Sequence, residues 1–586
     1  MSISLVQFFF SSVIIMKNYP LDSDKEFYQK ITKKFKKFKL RPSKESMRKI
    51  CQPKRFKLQP SQKLLGEYIN PKTPYKGVLV YHRIGSGKTC TSITIAEQWK
   101  KKRKIIVVLP AALMGGFRNE LRSQCPGDIY LLPKERKKLN KLEIGSDDYN
   151  KIIERSDKRI NKYYKIYSYH VFVRDIKKIS LRNSVLIIDE IQNMISETGT
   201  FYKALRDKIN NSSDELRVIL LSATPMFDKP VEVALTLNLL RPEKLLPIGP
   251  KFNKKFLRTK KNKYEGVYYT AKNINKFKES IKGLVSYYRG APDKAFPEEN
   301  FKIVRCKMEK FQYKSYLTAL SCDDQQKRGC FKNVDILKLP NDFFLGPRMI
   351  SNVAFPNKSI GEIGFSSFRG DKLQLQNLKN YSIKFYKILK KIKQSEGPTF
   401  VYSNFKGVGG LKSFVKVLKK HGWKDYKVHG QGIKRYAVWS GDQPHKVKEE
   451  IKTIFNQKAN KNGGRLKIML GSPSIKEGVS LLRVEQVHVL EPYWNFSRIL
   501  QVIGRAMRYC SHKDMPVDRR FVDIFLYIAT HEKEPLSIDE YIWKIAKRKK
   551  KLIGKFELAL KEMAIDCNLF KERNKDDDDE IQCYID

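Results

Sequence analysis

The sequence predicts an α/β protein of two parallel-sheet units, with a middle region inserted between them and a helical, basic C-terminal extension. Three observations predict this. Residues 78–81, 105–109, 185–188 and 218–221 are continuous apolar runs, each followed by a turn signal and a helical stretch. Runs of this kind belong to strands buried on both faces, which occur in parallel sheets covered by helices. A second series, 399–402, 468–470 and 487–490, repeats the pattern, and 586 residues are too many for one core.

The elements follow in order. Residues 1–51 form a basic leader, in which 30–41, KITKKFKKFKLR, intersperses cations with aromatics. Two readings of that stretch stand: a helix contacting phosphates, or a solvated charged leader. The apolar start around Leu5, Val6 and Phe8 to Phe10 has no preceding basic residue and is too short to span a bilayer. Met16 is as good a start as Met1. Residues 52–242 hold the first sheet series, 243–369 the middle region and 370–535 the second series. Residues 536–586 carry a cationic run, 547–551, and an acidic one, 576–580. The cationic run reads equally as an import signal or as a phosphate-binding helix face.

Charge narrows the partner class. Lys and Arg number 117 against 61 Asp and Glu, a formal +56. A compact chain with that excess repels itself unless a polyanion is near, so nucleic acid leads and an anionic membrane surface follows. A Lys-rich coding bias contributes as well. The nine cysteines contain no C-x-x-C pair and no zinc spacing, and they are read as reduced thiols in an intracellular, soluble protein.

Residues 78–89, VLVYHRIGSGKT, place an apolar run, a glycine loop and a helix start in succession, the three parts of a phosphate-binding loop. Gly85 and Gly87 let backbone N–H groups curl round a β-phosphate; Lys88 neutralises the β/γ oxygens and Thr89 ligates Mg²⁺. His82 stands where the usual pattern has its first glycine. The expected nucleotide contacts are Gln62, Gly85, Ser86, Gly87, Lys88, Thr89 and Cys90, with Gln62 reading adenine through its carboxamide. A lone G-x-G-K-T arises by chance in a Lys-rich chain, and a second signal decides. Residues 185–192, VLIIDEIQ, end a buried run in two acids, at the sheet edge where α/β proteins hold ligands. Asp189 is expected to hold Mg²⁺ through water, and Glu190 to orient and deprotonate the attacking water. Ser222 and Thr224 follow the fourth run and could link the nucleotide to movement; alone they make an ordinary turn. Arg505 and Arg508, three apart in helical sequence, are expected on one helix face as arginine fingers.

Together H-x-x-G-x-G-K-T (82–89), D-E-x-Q (189–192), S-A-T-P (222–225) and Q-x-x-G-R-x-x-R (501–508) resemble the motif set of superfamily 2 helicases and translocases. Residues 400–405 resemble motif IV, and 471–478 motif V. The middle stretches GLVSYYRG (283–290), RMISN (348–352) and the Phe-Pro pairs at 296 and 355 resemble the helicase-type ATPases of large cytoplasmic DNA viruses and yeast cytoplasmic linear plasmids, the group of poxvirus nucleoside triphosphatase I and the early transcription factor small subunit. The resemblance covers roughly 50–535 and implies two RecA-like lobes, ATP with Mg²⁺, and Lys88, Glu190, Gln501, Arg505 and Arg508 as catalytic groups. It implies coupling roles for Gln192, Ser222, Thr224, Glu477 and Gly478, although Gln192 replaces the usual His or Asp. It further implies a DNA-dependent ATPase serving viral-type transcription, gripping backbone phosphates, partnered by a viral-type RNA polymerase and transcription factors, and working in host cytoplasm or virion without a membrane. An RNA helicase acting on transcripts is the alternative, and an ATP-switched scaffold ranks below it.

Overall fold

The computed structural model describes residues 19–41, 46–52, 55–143, 145–196, 199–212, 215–262, 266–321, 335–340, 342–441, 443–476, 479–532, 536–575 and 580–584. The chain divides into two compact units. One comprises Met1–Arg258, Ala271–Pro292 and Leu552–Asp586; the other comprises Thr259–Thr270 and Asp293–Lys551.

The strands of the first unit are β1 (Gly77–His82), β2 (Lys104–Leu109), β3 (Tyr164–Ser168), β4 (Ser184–Ile188) and β5 (Arg217–Ser222). A small pair, β6 (Leu257–Asn262) and β7 (Gly266–Ala271), precedes β8 (Val285–Tyr288). The first sheet runs β3-β2-β4-β5-β1-β8, with each neighbouring pair parallel. All residues of β1, β4 and β5 are buried, as continuous apolar runs covered by helices on both faces must be.

The second unit contains β9 (Glu298–Lys307), β10 (Thr399–Tyr402), β11 (Lys424–Asp425), β12 (Arg435–Trp439), β13 (Ile468–Gly471), β14 (Gln486–Val489) and β15 (Phe521–Thr530). They form one parallel sheet ordered β11-β12-β13-β10-β14-β15-β9. Two apolar clusters fill this unit, one around Phe400, Met469 and Leu526, the other around Phe385, Val401 and Tyr527. The class is the expected one: α/β, with two parallel-sheet lobes.

The segment expected as an inserted middle region, 243–369, is shared out. It supplies β8 to the first sheet and β9 to the second. β9 pairs with β15 over ten residues, from Phe521 opposite Glu298 to Thr530 opposite Lys307. Its sequence, EENFKIVRCK, is mostly exposed or half-buried, which suits an edge strand and hides the apolar signal of a central one. The basic stretch 30–41 also joins the first unit. Its helix Phe27–Lys34 and the 3₁₀ turn Lys36–Phe38 bury Phe27, Ile31, Phe35 and Phe38 and turn Lys33, Lys36 and Lys37 outward. The cationic run 547–551 lies inside the helix Ile538–Glu562; there Lys549 is buried, Arg548 stacks 4.4 Å over Tyr268 and Lys550 lies 4.6 Å over Phe496. Of the acidic run 576–580, only Glu580 is among the described residues.

The cysteine reading is corrected. Cys90 is joined to Cys125 and Cys567 to Cys583, pairs separated by 35 and 16 residues in sequence and brought to Cα distances of 5.8 and 5.6 Å by the fold. No local spacing reveals such pairs. The cysteine count therefore carries no argument for a reducing compartment.

Candidate nucleotide site

Strand β1 ends at His82, and the helix Lys88–Trp99 begins directly after Gly87. Gly85 and Gly87 have φ of 82° and 81°, the left-handed region in which side chains are strained, so glycine is needed at both turns. Space adds a second reason at Gly87: a Cβ there would lie 2.7 Å from Gln62 Nε2. The Gln62 carboxamide is engaged at both ends, Nε2 donating to Gly87 O (3.3 Å) and Oε1 accepting from Gln59 N (2.8 Å). The residue expected to read adenine thus also braces the loop. Lys88 Nζ donates to His82 O (3.0 Å) and Arg83 O (3.4 Å), which curls the ammonium back over its own loop. Ser86 is fully buried, and Thr89 is half-buried with its carbonyl accepting from Ser92 Oγ. The Cys90 thiol is in its disulfide, so what this residue can offer a nucleotide is its backbone N–H.

Strand β4 delivers the acids. Asp189 is 7% exposed and its Oδ1 accepts from Glu190 N at 2.9 Å. Burial first, and the Glu190 charge second, raise the Asp189 carboxyl well above the usual carboxylate range, while Lys88 pulls it down. A divalent cation beside it would remove that penalty, so the donor set fits Mg²⁺. Glu190 sits at φ 50°, a left-handed conformation costing a non-glycine residue about 1–3 kcal/mol. Its carboxylate accepts from Gln192 Nε2 at 2.6 Å, and Gln192 Oε1 accepts from Ser222 Oγ at 2.7 Å. Ser222 Oγ in turn accepts from Thr224 N at 3.0 Å. A carboxamide both donates and accepts, so Gln192 joins the acid to the Ser222–Thr224 turn in one hydrogen-bonded chain. Tyr169 buries its ring and donates its hydroxyl to the carbonyls of Asp189 and Glu190. Nothing in its local sequence marks that role.

In the second unit, Gln501 is half-buried on the helix Phe496–Ile503, which is capped by Asn495 accepting from Arg498 N. The helix stops at Ile503, so Arg505 and Arg508 do not share a helix face as expected; Gly504 opens a turn instead. The two guanidiniums still converge, through Arg505 Nη1 and Arg508 Nη2 donating to Val479 O at 3.3 and 3.2 Å. Glu477 and Gly478 lie outside the described residues. Within the stretch that resembles motif IV, Ser403 and Asn404 are turned to protein: Ser403 Oγ and Asn404 N both donate to Glu491. The middle motif explains itself here. Asn352 Nδ2 donates to Glu491 Oε2 (3.0 Å), and the buried Arg348 stacks over Phe405 and Trp494 at 5.0 and 4.9 Å. These residues organise the turn after β10.

Among the described residues no helix is long and apolar enough to cross a membrane. The SNF2-related domain model matches residues 20–345, and the helicase conserved C-terminal domain model matches 383–510. A protein of Acanthamoeba polyphaga mimivirus, provisionally named an ATP-dependent RNA helicase, is 49% identical over 96% of this chain and 98% of its own. The termination factor NPH-I homolog of African swine fever virus (isolate Tick/South Africa/Pretoriuskop Pr4/1996) is 26% identical over 84% of this chain and 76% of its own. The Pyrococcus furiosus Hef helicase domain structure aligns over 85% of this chain and 99% of its own, at 14% identity and TM-score 0.40. With a phosphate loop, a paired-acid strand end and two domain matches in one chain, this protein belongs to the SNF2-related, superfamily 2 helicase-type ATPases of large DNA viruses, and it is an ATP hydrolase.

Proposed function

We propose that the chain is a DNA-dependent ATPase that translocates along nucleic acid in viral-type transcription, at initiation, elongation or termination. The observation that carries the motor reading is the hydrogen-bonded chain Glu190–Gln192–Ser222–Thr224, which ties the acid expected to activate water to the Ser222–Thr224 turn. In this reading Lys88 binds the β/γ-phosphates, and Thr89 and Asp189 hold Mg²⁺. Glu190 orients the attacking water, while Gln501, Arg505 and Arg508 sense the γ-phosphate. Mg²⁺ supplies neutralisation of charge on the transferring phosphoryl. Gln62 serves adenine, the backbone of Gly85 to Cys90 cradles phosphate, and Glu477 and Gly478 join the coupling set. The partner class is supported by the +56 charge and by a groove in the first unit whose lining holds Lys33, Lys36, Lys39 and Lys571 against the single acid Glu572. A viral-type RNA polymerase as further partner, and the host cytoplasm or virion as location, belong to the same proposal; the NPH-I homolog's name supports it.

The name of the 49% identical relative favours a second reading, an RNA helicase acting on transcripts. ATPase assays with single-stranded DNA, duplex DNA and RNA separate the two. Stimulation by DNA is the expected result, RNA-only stimulation moves the assignment to the second reading, and stimulation by none overturns the motor.

A further inference from the structure

The residue that breaks the phosphate-loop pattern is His82, and it is fully buried at the end of β1. Its Nε2 lies 2.9 Å from Ser286 Oγ on β8, and Ser286 Oγ donates to Asp566 Oδ2 at 2.5 Å. Asp566 Oδ1 accepts from Tyr287 N at 2.9 Å. Ser286 and Asp566 are also 0% exposed. The single hydroxyl hydrogen of Ser286 is committed to the carboxylate, so its lone pair takes the Nε2–H of a neutral His82. Burial, with Lys88 nearby, pushes the His82 imidazole down to about 3, which keeps it neutral.

Asp566 does not act alone. Ile565 N donates to Val285 O, Asn574 Nδ2 donates to Tyr287 O (3.0 Å), and Arg289 N donates to Asn574 Oδ1 (2.9 Å). The segment 565–574 therefore laces itself along β8, the edge strand beside β1. It lies outside both matched domains. Beyond β8, Gly290 (φ 106°) packs on the phosphate loop, where a Cβ would lie 3.4 Å from Ser86 Cβ. At the other end of the relay, the His82 carbonyl is the closer of the two carbonyls to which Lys88 Nζ donates.

We propose that the C-terminal segment 565–574 is part of the nucleotide site, with Asp566, Ser286 and His82 as positioning residues that set the carbonyl on which Lys88 docks and so tune affinity for the ATP triphosphate. This rests on the assignment of Lys88 to the phosphates. The departure from glycine at 82 is then functional: a side chain is needed there to receive the relay.

The test is equilibrium titration of the full chain with N-methylanthraniloyl-ATP and Mg²⁺, beside the melting temperature of the nucleotide-free protein. Ser286→Ala, Asp566→Asn and His82→Met should each weaken binding about tenfold, the size of one lost hydrogen bond acting on the site. His82→Gln, which retains an N–H donor, should stay within about twofold of wild type. Ser286→Ala combined with His82→Met should bind no more weakly than the worse single variant, because the two act in series. Lowered melting temperatures with unchanged nucleotide affinity would overturn the inference and leave a purely structural network. Additive losses in the double variant would do so too. Lys88→Ala is the separating control: unchanged binding there overturns the reading of the loop itself, whereas lost binding there with unaffected Ser286→Ala and Asp566→Asn overturns this inference alone.

Discussion

Glu190 combines three constraints at one residue: a left-handed backbone, a carboxylate steered by Gln192, and a carbonyl held by the Tyr169 hydroxyl. Backbone strain of this kind persists when its surroundings over-determine it, and here they fix where the carboxylate points. Glu190→Gln should bind ATP and Mg²⁺ normally, while single-turnover hydrolysis falls by about 10²–10⁴, the usual contribution of a general base. Near wild-type turnover would mean the base is another acid. The acids themselves were legible, because a paired carboxylate at the end of an apolar run is a local pattern. Gln192 was legible only as a departure from the His or Asp expected there. Its use, donating to one motif and accepting from another, depends on Ser222, thirty residues on. His82 is the stronger case: sequence shows a missing glycine, and the hydroxyl that explains it is 204 residues away.

Elements are held in the second unit by a buried polar network. Lys384 Nζ donates to Asp539 Oδ2 (2.6 Å) and Asn352 Oδ1 (2.9 Å), with side-chain exposures of 0% for Lys384 and 1% for Asp539. Asp539 Oδ2 also accepts from Ala529 N, so the start of the helix Ile538–Glu562 is tied to β15. Removing one partner of such a pair strands a desolvated charge, and Lys384→Met should destabilise the protein by about 3–5 kcal/mol in chemical denaturation. Adding Asp539→Leu should restore part of the loss, since two apolar groups leave no unpaired charge. A single-variant loss below about 1 kcal/mol would contradict a fully desolvated pair. Lys384 looks like one cation among many in IKFYKILKKIKQ, and periodicity cannot tell the buried lysine from its solvated neighbours. The same limit hid β9, whose charged residues disguise a ten-residue pairing, whereas β1, β4 and β10 were plain because both faces are apolar.

At the scale of the molecule the formal +56 dominates. Nucleic-acid stimulation of the ATPase should weaken steeply with salt, the half-activating concentration rising at least about tenfold between roughly 50 and 200 mM, because several counterions are released on binding. Half-activation that is indifferent to salt would place the recognition in something other than phosphate contacts. The division into units was readable only in outline: sheet strands announce themselves by composition, whereas the return of residues 565–574 to β8 rests on Ile565, Asp566 and Asn574, ordinary residues in a charged tail. That return has a consequence for biosynthesis. Residues 293–551, almost the whole of the second unit, emerge from the ribosome after β8 and before the segment that covers it. Throughout that interval the nascent first sheet carries an open edge, the feature that invites wrong pairing in a crowded polysome. The phosphate unit of this enzyme is thus begun before the second unit and completed only after it.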